Sequence, residues 1–176
     1  TDFNSASDRS NATLVFETED QELRTGQTYK VNFKAKAAQL NVSGYQFSMN
    51  FDTKALEFVD LNTKNSQDLS LANFGLSNVK EGAIVTSWNS TTNAALNSDE
   101  VLFEMTFKAK ANTQLSNVLT IGSRLLTAEA YNLSNESMKI ALQFPGKSSA
   151  FELYQNQPNP FKATTVIGFS LPTGGY

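Results

Sequence analysis

Hydrophobic and polar residues alternate over residues 45–51, with Tyr45, Phe47, Met49 and Phe51 separated by Gln46, Ser48 and Asn50. A strand places successive side chains on opposite faces, so the aromatic set shares one face and the amide and hydroxyl set the other. The pattern predicts a strand with one face in a core and one in water. Burying four such side chains stabilises by about 1.5–3 kcal/mol each, a large sum beside a net domain stability of about 5–15 kcal/mol. The rest of the chain is read around this strand. Asp52-Thr53-Lys54 supplies turn chemistry, with Asp52 shaping the corner, and Leu56 and Phe58 then resume the alternation. Two further strands follow the same rule: Tyr29, Val31, Phe33 and Ala35 against Lys30, Asn32 and Lys34, and Val101, Phe103, Met105, Phe107 and Ala109 against Leu102, Glu104, Thr106 and Lys108. Weaker β-rich runs lie at 12–16, 74–79, 83–88, 118–121, 125–131 and 138–144, with Gly26 and Gly82 in the turns. No stretch repeats every 3.6 residues, and 37–40 or 69–73 form one helical turn at most. The prediction is an all-β, antiparallel sandwich of about nine strands, since a parallel fold needs crossover helices that this sequence lacks.

Composition narrows the function. The chain has 176 residues, enough for one domain or one domain with part of a second, and 13 of them are Phe. No apolar run is long enough to cross a bilayer, so membrane insertion is not expected. A formal charge of -3 leaves no basic stripe for nucleic acid or an anionic membrane. There is no Cys and no His, which removes thiol nucleophiles, disulfides, soft metal sites and the commonest general base. Neither a nucleophile elbow nor a phosphate-cradling Gly loop occurs. No catalytic residue, metal or cofactor is expected, and the protein reads as a binding module rather than an enzyme. The carboxylates Glu17, Glu19, Asp20, Asp99 and Glu100 have no calcium-loop spacing and read as solvated or structural groups.

Two constellations are candidates for binding. Gln46, Ser48 and Asn50, joined by Lys30, Asn32 and Lys34 if these lie nearby, make either a recognition face or a solvated sheet surface. Trp88, beside Asn89-Ser90-Thr91-Thr92, is either a platform for a sugar ring or a core residue capping the sandwich. The ends are polar: residues 1–11 read as a linker that is mature or cut from something longer, and Pro145-Gly146-Lys147-Ser148-Ser149-Ala150 reads as a second linker.

Across residues 12–144 the chain resembles a cohesin-type module. The residues that carry the likeness are the Gly26 turn before Thr28-Tyr29-Lys30-Val31-Asn32-Phe33, the run from Gly44 through Asp52, Leu56-Glu57-Phe58, Glu81-Gly82 before Ile84, and Val101-Leu102-Phe103 with Phe107-Lys108-Ala109. The resemblance implies a jelly-roll or immunoglobulin-like sandwich in which the polar face of the central strand lies on the sheet that docks a partner. Dockerin-binding cohesins often carry Asn and Asp at the head of that strand, where this chain has Gly44 and Gln46.

Residues 151–176 form an extended tail that closely resembles the opening of a type IX secretion sorting domain. The motif is Leu153-Tyr154-Gln155-Asn156, then Pro158-Asn159-Pro160-Phe161, followed by a strand-like run at residues 165–171 (Thr165, Val166, Ile167, Gly168, Phe169, Ser170 and Leu171). The prolines fix φ and withhold donors, giving a rigid approach to that run. The resemblance implies export by the type IX machinery of a Bacteroidota-type bacterium to the medium or the outer-membrane surface. The run at 165–171 is a candidate for self-association by strand addition. Together these features describe a secreted or surface adhesion module that engages a protein partner or a polysaccharide. A carbohydrate-binding accessory of a larger enzyme and a structural stalk are the alternatives.

Overall fold

A computed structural model describes residues 9–38, 40–64, 69–92, 94–96 and 100–145, and two further strand pieces near the C-terminus. Among the described residues, the first unit holds the strands β1 (Arg9–Glu17), β2 (Glu22–Leu23), β3 (Thr28–Lys36), β4 (Val42–Phe51), β5 (Leu56–Thr63), β6 (Phe74–Gly75), β7 (Ala83–Asn89), β8 (Val101–Ala109), β9 (Thr113–Gln114), β10 (Leu119–Gly122), β11 (Glu129–Asn132) and β12 (Ser137–Gln143). The described residues also form a short helix, α1 (Leu115–Val118), and 3-10 turns at Leu71–Asn73 and Val79–Glu81. The second unit, from Gly146, contributes β13 (Glu152–Leu153) and β14 (Phe169–Ser170), which pair antiparallel with each other. Among the described residues, no helix is long and apolar enough to cross a membrane.

The main sheet runs β5-β8-β3-β1-β12-β11-β4-β7-β6, with β10 also paired to β4. It curls until its two halves face each other, as the ring contacts prove. Phe16 on β1 meets Tyr45 and Phe47 on β4 at 5.2 and 4.9 Å, and Phe51 on β4 meets Phe107 on β8 at 5.2 Å. Strands so far apart along the sheet touch only if their halves stack. The predicted alternation accounts for this packing. Tyr45, Phe47, Met49 and Phe51 are buried, as are Val31, Phe33 and Ala35 on β3 and Phe103, Met105 and Phe107 on β8. The corner after β4 also forms as read, with Lys54 N–H donating to the Asp52 carboxylate at 2.8 Å and Leu56 N–H to the Asp52 carbonyl at 2.8 Å.

Four local expectations change. The pairing of β1 with β12 is parallel, because the first and last strands of the module lie side by side after the whole domain has intervened. The run at 74–79 is a strand only over Phe74–Gly75 before the chain turns into Val79–Glu81. The run at 125–131 becomes ladder only at Glu129, since the Leu125 and Leu126 amides are taken by a side chain. A small ladder between β2 and β9 and the turn of α1 were not anticipated.

Tyr45 is a misfit within the core. Its hydroxyl is buried without a hydrogen-bond partner among the described residues, and burial pushes the phenol well above its ordinary pKa. An unsatisfied buried hydroxyl costs about 1–3 kcal/mol. Tyr45→Phe is therefore expected to raise the free energy of unfolding by about 1 kcal/mol in a denaturant titration. A loss of stability would contradict the assignment.

Candidate functional site

β4 lies between β10 and β11 on one side and β7 on the other, at the centre of its layer. Residues opposite each other on a ladder share a face, so register defines the outer surface of this layer. Gly44 sits opposite Asn89 and Tyr131, Gln46 opposite Ser87 and Glu129, Ser48 opposite Val85 and Gly122, and Asn50 opposite Ala83 and Thr120. Gly75 on β6 extends the Val85 row. Most of these side chains are small, which keeps the face low in relief.

Two features stand out on it. Gln46 Nε2 donates to Glu129 Oε1 at 3.1 Å, and Glu129 also takes a hydrogen bond from Tyr131. That hydrogen bond, with some burial, lifts the Tyr131 phenol above its ordinary pKa. Beside this polar trio is apolar surface: Leu125 is 43% exposed where its segment crosses β4, and Val85, half-buried, lies opposite Ser48 on β7. A single exposed leucine is ordinary, but one held over the strand next to an outward valine offers contiguous apolar area.

Leu125 is held there by Ser48. Residues 123–128 leave β10 and cross the outer side of β4, and Ser48 Oγ accepts the N–H groups of Leu125 at 2.9 Å and Leu126 at 3.1 Å. Ser123 Oγ accepts Ala128 N–H at 2.9 Å, and Arg124 Nη1 donates to the Glu81 carbonyl at 3.0 Å. Ser48 is thus fully buried, not a contact residue. Gln46 and Asn50 are half-buried, and Asn50 Nδ2 is turned onto the Ser48 carbonyl at 3.3 Å. Ser48→Ala strands two amides, and each orphaned buried amide costs about 1–3 kcal/mol. The expected loss is about 2 kcal/mol, with faster hydrogen exchange at Leu125 and Leu126. Unchanged exchange at those amides would contradict the latch.

The other candidates are not on this face. Trp88 is 3% exposed and packs on the Tyr45 ring at 5.5 Å, so it belongs to the core and offers no platform to a sugar. Its parity explains this: Ile84, Thr86 and Trp88 point inward from β7 together. Lys30, Asn32 and Lys34 project from β3, whose inner face meets the core from the opposite layer. They therefore form the other outer surface of the sandwich, away from Gln46 and Asn50. Among the described residues, no group of three or more acidic side chains is gathered to hold a metal. Of the tail motif, Leu153 lies in β13, and Tyr154, Gln155, Asn156, Pro158, Asn159, Pro160 and Phe161 lie outside the described residues.

The cohesin domain family model matches residues 13–140. The chain belongs to the cohesin domain family. Solved cohesins share its fold. The OlpC cohesin of Clostridium thermocellum, from a type I cohesin–dockerin complex, aligns over 77% of this chain and 92% of its own at 16% identity and a TM-score of 0.60. A type II cohesin of the ScaA scaffoldin of Acetivibrio cellulolyticus aligns over 77% and 95%, at 15% identity and 0.54. A non-cellulosomal cohesin of the archaeon Archaeoglobus fulgidus aligns over 74% and 86%, at 18% identity and 0.51. No curated protein matches the chain in sequence. Cohesin domains are non-catalytic protein-binding modules, and this one is an all-β sandwich of that kind.

On the opposite layer of this cohesin, Glu104 holds two ion pairs among the described residues. Its side chain is 9% exposed, and Lys30 Nζ and Lys64 Nζ approach it at 3.2 and 3.3 Å. Burial pulls the carboxyl up, but the two ammonium groups together outweigh it and hold Glu104 below its ordinary value of 4.5. A depressed folded pKa stabilises above the unfolded value, and that stabilisation fades as pH falls through the folded one. Because Lys30 is 71% exposed, water screens much of the interaction, and its worth is about 1 kcal/mol. Between about pH 6 and about pH 3 the wild type is expected to lose more stability than Glu104→Gln. Parallel pH profiles would contradict this.

Proposed function

We propose that this cohesin docks a dockerin-type protein partner through the outer face of β10, β11, β4, β7 and β6, as a secreted or cell-surface adhesion module. The observation that carries the reading is exposed Leu125, held over β4 next to Val85 and beside the Gln46–Glu129–Tyr131 trio on a face of small side chains. Interfaces of this kind gain most of their affinity from a few apolar anchors ringed by polar groups. Several of the similar cohesins were solved in complex with dockerins, among them those of OlpC and OlpA of Clostridium thermocellum. The head of β4 modifies the preference. Gln46 spends its amide on Glu129, so a partner meets a neutralised amide–carboxylate pair, and Gly44 offers it no side chain at all. This favours a dockerin whose contact side chains differ from those suited to the usual Asn and Asp.

The test is a binding array in which the immobilised chain is presented with dockerin modules of varied contact sequence. At least one is expected to bind saturably, and Leu125→Asp is expected to weaken it by about 100-fold, the scale of an interface hot spot. Failure of every module to bind, or an unchanged affinity for Leu125→Asp, would refute the proposal. Delivery to the surface rests on the sorting-domain resemblance of residues 151–176. Deleting them in a host with type IX secretion is expected to trap the protein in the periplasm, and undiminished surface display would contradict that role.

A further inference from the structure

We propose that a cleft on the outer surface of β1 and β3, on the layer opposite the docking face, binds a neutral oligosaccharide. The cleft encloses about 420 Å³ and is lined by Glu17, Thr18, Glu19, Gln21, Lys30, Asn32, Lys34, Val101 and Pro145. That volume lies within the range of about 300–1,000 Å³ usual for small-ligand sites. Its floor is the outward row of β3, and one wall is the chain leaving β1.

The wall is fixed in advance of any ligand. Thr18 N–H donates to the Gln143 carbonyl at 3.1 Å, Leu115 N–H donates to the Gln21 carbonyl at 2.9 Å, and Ser116 Oγ donates to Asp20 Oδ2 at 2.7 Å. Wall and floor are joined where Gln21 Nε2 donates to the Lys30 carbonyl at 3.2 Å. A site held this way loses little conformational freedom on binding.

The lining selects the ligand class. Glu17 is already paired with Lys36 at 3.5 Å, and Lys30 with Glu104. Asn32, Lys34 and Glu19 hold no partner among the described residues, and the Thr18 hydroxyl is buried without one. The free groups thus comprise an ammonium, a carboxylate and an amide, which donate and accept side by side with no net charge. A strongly charged ligand attracted by Lys34 is repelled by Glu19, and the reverse. A sugar hydroxyl donates and accepts from the same atom, so a row of them satisfies this lining throughout. Val101 and Pro145 supply the apolar surface for the C–H face of a ring. No aromatic side chain lines the cleft, so the affinity is modest and depends on hydrogen bonds. Because the site lies on the other layer, it is independent of the partner-docking reading and stands or falls without it.

The test follows backbone amide chemical shifts of the whole chain during titration with cellohexaose, xylohexaose or mannohexaose, with trigalacturonate and trilysine as charged controls. At least one neutral hexaose is expected to shift residues 17–21 and 30–34 saturably, at millimolar concentration or below. Asn32→Ala and Glu19→Ala, both at exposed positions, are each expected to weaken binding by about tenfold while leaving the remaining spectrum in place, the scale of one lost hydrogen bond to a polar ligand. No saturable shift with any neutral hexaose would overturn the proposal. So would tighter binding of a charged control, shifts confined to β4 and β7, or variants that bind as well as the wild type.

Discussion

Phe47→Ala is expected to cost about 3–5 kcal/mol, the usual penalty for emptying a fully buried aromatic site. Phe47 has no exposed surface, and its ring meets Phe16 from the other half of the curled sheet at 4.9 Å and Tyr45 on its own strand at 5.7 Å. Removing it deletes contacts that hold the halves together and leaves a void that the neighbouring rings cannot fill without moving their strands. With a net stability of about 5–15 kcal/mol, such a loss takes a large share of the fold. Denaturant midpoints measure it, with Leu71→Ala, on an exposed side chain, as a control expected to stay within about 0.5 kcal/mol of wild type. A cost for Phe47→Ala below about 1 kcal/mol would mean that the two halves do not share this core.

Gly82→Ala is expected to be nearly as damaging, for a backbone reason. Gly82 ends the turn Val79–Glu81 at φ +75, where its N–H donates to the Val79 carbonyl at 3.0 Å and its carbonyl accepts Phe51 N–H at 2.9 Å. A Cβ there would run into the Phe51 carbonyl, a backbone atom at the end of the central strand that cannot yield cheaply. The left-handed conformation alone costs a residue with a side chain about 1–3 kcal/mol. With the collision the expected loss is about 3 kcal/mol or more. Gly26 separates the two contributions: its φ is +86, but an added Cβ would meet nothing within 4 Å. Gly26→Ala should therefore cost about 1 kcal/mol, the conformational part only. Equal losses at both glycines would contradict the role of the close approach.

These two residues also mark what the sequence made legible. Strict alternation around Phe47 named the core face of β4, β3 and β8 because a period of two leaves only one way to bury the aromatic set. The Asp52 corner and the Gly82 turn were equally local. What stayed hidden depended on partners far along the chain. Ser48 reads as a solvent-facing hydroxyl, and only the segment at 123–128 folding across it makes it a buried acceptor. Glu129 faces Gln46 only because the same segment interrupts the ladder between β10 and β11. The polar rows of β3 and β4 look alike in sequence, yet the curl of the sheet sends them to opposite surfaces. Trp88 is different, since its parity with Ile84 already pointed inward and outweighed the amide and hydroxyl neighbours that suggested a sugar platform.

Docking of the protein partner is assigned to one surface, the outer face of β4 and its neighbours. Hydrogen exchange, measured on the chain with and without the tightest dockerin from the array, tests this most directly. Protection is predicted at residues 44–50, 85–89 and 124–131, with β3 and β8 unchanged. Protection concentrated on β3 and β8, with the β4 and β7 amides exchanging as before, would contradict it.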